Sequence, residues 1–266
     1  MKLESQPPPA PRPRAYPPAL YAAVHSGNSG DVAYYRRACT GARSVLELGC
    51  GYGRVLDGLT RERSLEVFGL DRDGGLLELA RERAPRATIV AGDMTDFDLG
   101  RSFDRVFIPY NGLYCVLTEA EQVAALRRAR AHLNDGGLLV LDAYAADAFH
   151  GDGDEESDPN DGAWDAPGFV KSVKALGTTW EVHEQSRWDR ETQRIDAVYT
   201  HVPADGGRSV VAAIPQRYLL TAQLPELFAQ AGLALVALQG GFDQSAFDEE
   251  ESALFVAIAT PVDATA

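Results

Sequence analysis

From Ser44 to Leu141, short apolar runs alternate with stretches in which apolar residues return every third or fourth position. A short run of that kind suits a strand buried on both faces, and the longer period suits a helix with one buried side. Strands are therefore predicted at Ser44–Leu48, Leu65–Leu70, Thr88–Ala91, Asp104–Pro109 and Gly137–Asp142. Helices are predicted at Val55–Arg61, Leu76–Ala84 and Glu119–His132. The last helix opens on Thr118-Glu119-Ala120-Glu121, a capping box, and stops near Asn134-Asp135-Gly136-Gly137. Parallel strands need a crossover of a dozen or more residues, so this alternation predicts a mostly parallel sheet.

Beyond Asp142 the runs lengthen, at Thr179–Trp188, Gln193–Val202 and Ser209–Leu220, and are separated by Asp189-Arg190-Glu191-Thr192 and Pro203-Ala204-Asp205-Gly206-Gly207. They predict a three-strand antiparallel meander. A helix at Leu224–Ala231, stopped by Gly232, and strands at Leu233–Leu238 and Ala253–Ala259 complete the pattern. The expected fold class is α/β, a Rossmann-like seven-stranded, mostly parallel sheet with helices on both faces, plus an antiparallel three-strand insertion after the fifth strand. Upstream, Pro7–Pro18 holds seven prolines in twelve positions, which predicts a flexible, extended leader. A turn-rich His-Ser-Gly-Asn-Ser-Gly stretch then precedes Asp31, in N-cap position before a short helix. The expected divisions are a leader at 1–20, an N-terminal helical segment at 21–40, a core at 41–145, an acidic loop and inserted strands at 146–220, completion of the core at 221–260 and a tail at 261–266.

With 266 residues, 45% hydrophobic and 24% charged, the chain suits one large globular domain, or one domain with a sizeable insertion. Its formal charge of −14 disfavours nucleic acid and anionic membranes, which are bound through Lys and Arg. No apolar stretch reaches membrane-span length and no signal-type segment opens the chain, so the expectation is a soluble, cytoplasmic protein. Cys39, Cys50 and Cys115 are odd in number and lack CxxC spacing, so neither a disulfide framework nor a zinc site is expected. No compact group of His and carboxylates suggests any other metal.

The clearest chemical signal is Val45-Leu46-Glu47-Leu48-Gly49-Cys50-Gly51-Tyr52-Gly53-Arg54, a strand that runs into a glycine-rich turn and a helix. Glycines there permit close ligand approach. Arg54 stands where the dinucleotide fingerprint GxGxxG has its last glycine, which leaves NAD-dependent oxidoreduction a remote alternative. The second strand ends at Gly69-Leu70-Asp71, 22 residues after Gly49, where a carboxylate is placed to accept from ribose hydroxyls. The third ends at Ala91-Gly92-Asp93-Met94 and offers another carboxylate at the same edge.

Taken in order, VLELGCGYGRV, GLDRD, AGDMTDF, FDRVFIPYNGLYCVLT and GGLLVLDAY resemble the class I S-adenosylmethionine-dependent methyltransferases. The resemblance implies S-adenosyl-L-methionine as cofactor. It places Gly49, Gly51 and Gly53 along the methionine moiety, Glu47 near its amino group, Asp71 on the ribose, Arg72 against the adenine, and Asp93 with the Met94 backbone at the adenine edge. Asn111 and Tyr114 fall at the sulfonium and substrate cleft. The meander followed by Tyr218-Leu219-Leu220-Thr221 and a helix is similar to small-molecule N-methyltransferases acting on amino sugars or glycine-like amines. By that likeness the insertion is a substrate lid, the 21–40 segment is a cofactor lid closed by Tyr21, Tyr34 and Tyr35, and a homodimer is expected.

A sulfonium carbon is already electrophilic, so the protein mainly aligns the acceptor and excludes water. An amine must first lose a proton. The candidates for orienting the nucleophile or taking that proton are His25, Tyr34 and Tyr114, whereas His132, His183 and His201 read as structural. Residues 146–165 carry eight acids and no Lys or Arg, and Phe242–Ser252 carries five acids and no base, together nearly the whole acidic excess. Both loops should emerge at the ligand-binding edge, where an acidic rim attracts cations. The expected acceptor is therefore a small cationic amine, with an O-methylated small molecule or a tailored peptide as alternatives.

Overall fold

The computed structural model describes residues 15–151 and 162–262, which divide into two compact units. The larger comprises residues 27–151 and 219–262 of the described chain. In chain order it holds α2 (Asp31–Ala38), β1 (Ser44–Leu48), α3 (Arg54–Leu59), β2 (Glu66–Asp71), α4 (Gly74–Arg83), β3 (Thr88–Ala91) and β4 (Phe103–Ile108). A short 3-10 turn at Gly112–Cys115 leads to α5 (Glu119–Ala131), β5 (Leu133–Tyr144) and α6 (Asp147–Gly151), and α7 (Leu224–Gln230), β10 (Leu233–Gln239) and β11 (Leu254–Pro261) follow in the final segment. The sheet order is β10-β11-β5-β4-β1-β2-β3, with β11 antiparallel to both neighbours and the other pairings parallel. That is the expected seven-stranded, mostly parallel sheet.

All five residues of β1 are buried, as its unbroken apolar run requires. One sheet face carries Val45, Phe107, Val140 and Val256 beneath Tyr35 of α2, Leu56 of α3 and Leu77 of α4. Helix α2 comes close to α3 at Gly58, where a β-carbon would stand 2.2 Å from Val32 Cγ1. Thr118 caps α5 as its sequence predicts: Oγ1 accepts from the Glu121 amide and donates to the Glu121 carboxylate.

The smaller unit comprises residues 15–26 and 162–218, holding α1 (Pro18–Val24) and an antiparallel sheet of β6 (Gly168–Ala175), β7 (Thr178–Asp189), β8 (Arg194–Pro203) and β9 (Val210–Arg217) in that order. Leu20 and Val24 of α1 pack with Val173, Trp180 and Val182 of the sheet. Three of the strands match the expected meander. The fourth, β6, corrects the three-strand expectation, and its hairpin explains why it was hidden. Ala175 pairs with Thr178 around a two-residue loop, Leu176-Gly177, in which both residues have positive φ (52° and 81°). Such primed turns normally announce themselves as Asn-Gly or Asp-Gly.

The segment expected as a single lid at 21–40 is shared between the units, with α1 in the smaller and α2 in the larger. The leader up to Arg14, the centre of the acidic loop at 152–161 and the residues after Val262 lie outside the described residues. Among the described residues, no helix is long and apolar enough to cross a membrane.

Candidate active site

The carboxyl ends of β1, β2, β4 and β5 converge on the glycine-rich turn. Gly49, Gly51 and Gly53 all have positive φ, and the Gly49 and Cys50 amides donate to the Leu70 carbonyl, which holds the turn against β2. At Gly51 a β-carbon would project into open space, whereas at Gly53 it would come within 3.0 Å of Ala80 Cα. Gly53 thus allows α3 and α4 to approach, and Gly51 keeps the floor of the site clear. Asp71, at the end of β2, accepts from the Gly51 amide (2.8 Å) and the Asp73 amide (2.9 Å). A carboxylate has about four lone-pair positions, so room is left for ribose hydroxyls. Burial raises the Asp71 pKa, against the opposing effect of those amides.

Asp93 accepts from the Thr95 amide (2.9 Å) and hydroxyl (2.7 Å), which holds its carboxyl below the ordinary range. Met94 Cε would lie 3.1 Å from a β-carbon on Gly49, so Met94 reaches over the turn, and Arg72 is exposed at the same edge. Asp71, Arg72, Asp93 and Met94 thus lie at or just beyond the carboxyl ends of β2 and β3.

Glu47 is 3% exposed, its pKa is pushed well up by burial, and its Oε2 has no hydrogen-bond partner among the described residues. It feels the attraction of Arg54 and the repulsion of Asp71, Asp31 and Asp142. Arg54 grips Asp31 with both terminal nitrogens, at 2.8 and 2.7 Å. Asp31 therefore does not cap α2: Gly30 takes the N-cap position in the left-handed region, and the carboxylate serves Arg54 and the amides of Asn28 and Val32. Gly27, with φ 85°, lies so close to Arg54 that a β-carbon would be 2.1 Å from its Cζ.

The turn after β4 is strained. Tyr110 and Asn111 are consecutive non-glycine residues with φ of 53° and 61°. Asp142 of β5 holds the first, accepting from the Tyr110 amide at 3.1 Å. Asn111 is fixed by its own amide on the Asp142 carbonyl (3.0 Å) and by its Oδ1, which accepts from the Tyr144 amide (2.8 Å). Asp142 was not singled out in the sequence, although one carboxylate at the end of Leu138-Leu139-Val140-Leu141 is a polar exception in a buried strand.

The remaining candidates separate. Tyr35 is fully buried, its ring centroid lies 4.7 Å from that of Phe107, and its hydroxyl donates to Asp142 Oδ1 at 2.5 Å. Tyr34 donates to Gln239 Oε1 at 2.7 Å, and burial raises its pKa. Tyr114 is buried, with its hydroxyl 3.1 Å from the carbonyls of Tyr144 and Leu219. Tyr21 and His25 belong to the smaller unit, where Tyr16, His25, Tyr199 and His201 form an aromatic cluster. There His201 Nδ1 faces the Val210 carbonyl at 3.2 Å, so Nε2 accepts from the Tyr16 hydroxyl (3.0 Å), whose oxygen accepts from His25 Nε2–H (3.1 Å). Burial, with Lys171 and His201 adding to it, lowers the His25 pKa to about 4.

Residues 45–137 match the family model described as a methyltransferase domain. The chain is 30% identical over 234 residues to a dTDP-3-amino-3,6-dideoxy-alpha-D-glucopyranose N,N-dimethyltransferase of Streptomyces fradiae, covering 84% of this chain and 85% of that one. The chain belongs to the S-adenosylmethionine-dependent methyltransferases. Among solved structures, this methyltransferase is similar to the CcbJ methyltransferase from Streptomyces caelestis, with TM-score 0.71, 27% identity and coverage of 88% and 89%. It is also similar to CalS10 of Micromonospora echinaspora, an amino pentose methyltransferase solved with S-adenosylmethionine bound, with TM-score 0.62, 28% identity and coverage of 88% and 93%.

The residues of the methyltransferase fit that cofactor. Glu47 Oε2 and Asp142 Oδ2 are buried carboxylate oxygens without a hydrogen-bond partner among the described residues. Glu47 senses three other carboxylates against one guanidinium. S-adenosylmethionine brings a sulfonium and an ammonium against a single carboxylate, which is the charge this site lacks.

Proposed function

We propose that the enzyme methylates the amino nitrogen of a small, nucleotide-linked amino sugar. The observation that carries this reading is likeness over most of both chains to a relative named for that reaction, an N,N-dimethyltransferase of a dTDP-linked amino sugar. The charge distribution supports it: Phe242–Ser252, between β10 and β11, carries five acids and no base, which favours a cationic amine over an anionic group at the acceptor position. A homodimer belongs to the same proposal.

The bound cofactor supplies an electrophilic methyl group. Gly49, Gly51 and Gly53, with Glu47, would hold its methionine end and Asp71 its ribose, with Arg72, Asp93 and Met94 at the adenine. Asn111 shapes the strained turn that would border the sulfonium. With its phenol pKa raised, Tyr34 stays protonated near pH 7 and offers no phenolate to take a proton. The hydroxyl of Tyr114 faces two carbonyls. Both are assigned to positioning, as is Tyr35, through Asp142. His25 is a neutral imidazole near pH 7, with a pKa of about 4. A base that weak is a poor store for an ammonium proton, so the amine reacts in the fraction that has already lost its proton to water.

The test is incubation of the purified protein with S-adenosylmethionine and dTDP-3-amino-3,6-dideoxy-α-D-glucose, followed by mass spectrometry. The 3-hydroxy analogue and a peptide with a free N-terminus serve as competing acceptors. Gain of one or two methyl groups on the amino sugar alone is the expected result. Methylation of the hydroxy analogue, or of the peptide alone, overturns it.

A further inference from the structure

Asp142 occupies an unusual place for a carboxylate. It is 2% exposed, directly after the apolar run Leu138-Leu139-Val140-Leu141 of β5, and its two oxygens have different surroundings. Oδ1 accepts from the Tyr35 hydroxyl of α2 and from the Tyr110 amide of the strained turn. Oδ2 has no partner among the described residues, although leaving a buried carboxylate oxygen unmatched is costly. Packing alone does not account for that: an asparagine or threonine would hold Tyr35 and Tyr110 without burying a charge.

The register shows which side of the site it faces. Glu47 pairs with Phe107, and Phe107 with Val140, so Glu47 on β1 and Asp142 on β5 share the face covered by Tyr35, flanking β4. Asp71 lies on β2, on the far side of β1. A cofactor with its ribose at Asp71 therefore extends its amino-acid end along β1 towards β4 and β5. Glu47 and Asp142 then stand at the end where an ammonium, with its three N–H donors, is expected.

We propose that Asp142 is a cofactor-binding residue whose Oδ2 accepts a hydrogen bond from the ammonium of S-adenosylmethionine, while its Oδ1 fixes Tyr35 and the Tyr110–Asn111 turn around the same end. Asp142 thereby links occupancy of the amino-acid subsite to the order of α2 and of the turn after β4. The assignment rests on the cofactor and not on the identity of the acceptor.

The experiment is calorimetric titration of the full-length protein with two ligands. S-adenosylmethionine carries the amino-acid end, and 5′-methylthioadenosine keeps the adenine, ribose and thioether but lacks it. Asp142→Asn preserves shape and an acceptor for Tyr35 and Tyr110 but removes the charge. Loss of a hydrogen bond to a charged group weakens binding about tenfold to a hundredfold. Asp142→Asn should lose that much for S-adenosylmethionine and bind methylthioadenosine as the wild type does. Tyr35→Phe, which leaves the carboxylate in place, should keep the wild-type ratio of the two affinities. Unchanged affinity for S-adenosylmethionine in Asp142→Asn overturns the proposal. So does equal loss for both ligands, or a Tyr35→Phe ratio as disturbed as that of Asp142→Asn, because the effect would then come from packing.

Discussion

Arg54 and Asp31 meet through two parallel hydrogen bonds of 2.8 and 2.7 Å, side chains 14% and 3% exposed, joining the start of α3 to the start of α2. The pair stands at the edge of the glycine turn, and the arginine that breaks the dinucleotide glycine pattern is the one that makes it. Removing one partner of a buried pair leaves an uncompensated charge. Arg54→Ala should cost about 3 kcal/mol of stability, and Arg54→Lys, which loses the fork geometry, about 1 kcal/mol. Urea midpoints of the two variants check this ordering.

Gly27 is tied to the same pair. Any side chain there meets the Arg54 guanidinium and must also adopt a positive φ. Gly27→Ala should destabilise by more than about 1 kcal/mol, and by clearly less in an Arg54→Ala background, since the obstruction is then gone. Additive effects in the double-mutant cycle would contradict the contact.

Asp71→Ala should raise the dissociation constant for S-adenosylmethionine at least about tenfold, through lost ribose hydrogen bonds. The fold should lose on the order of 1 kcal/mol, because the Gly51 and Asp73 amides each forfeit an acceptor. Calorimetry and thermal melts on one preparation separate the two effects.

Two buried groups act in opposite directions on acidification. His25 has its pKa lowered to about 4, so below about 6.5 the unfolded chain takes up a proton that the folded one refuses, and stability falls. Asp142 has its pKa raised to about 6, so the folded chain takes its proton first, and stability rises over the same interval. Between about pH 7 and about pH 5, His25→Gln should therefore lose less stability than the wild type and Asp142→Asn more, each by on the order of 1 kcal/mol. Chemical denaturation at the two pH values reads both signs.

Leu176 is 65% exposed and held at φ 52°, in the left-handed region that costs a branched side chain roughly 1 kcal/mol. Leu176→Asn should stabilise the protein by about that amount, because asparagine suits the first position of a primed hairpin turn. A lower melting temperature would count against this account of the turn.

The same residue shows where sequence reading stops. Strand β1 and the Leu138–Asp142 part of β5 were legible because burial on both faces writes continuous apolar runs, and the glycine turn was legible because backbone geometry demands the residue type. Strand β6 was not, since it lies at a sheet edge with Phe169 and Val170 exposed and turns through leucine where asparagine is usual. Within the site, Glu47, Asp71 and Asp93 stand at strand ends fixed by the fold. Asp142 becomes notable only through its contacts, with Tyr35 107 positions away and Tyr110 32 away. Asp31 has the residue type of an N-cap, and its true partner is set by tertiary packing.

The smaller unit is built from two pieces of chain that lie far apart, and Tyr16 reaches its partner His201 across 185 positions. Contacts of such separation carry a large loop-closure cost and form late. During synthesis α1 leaves the ribosome long before β6 to β9 exist, so its apolar side, Leu20 and Val24, has no sheet to cover it until those strands are made. A helix made early is thus buried late, and a nascent chain halted before β9 presents that helix to chaperones or to other chains.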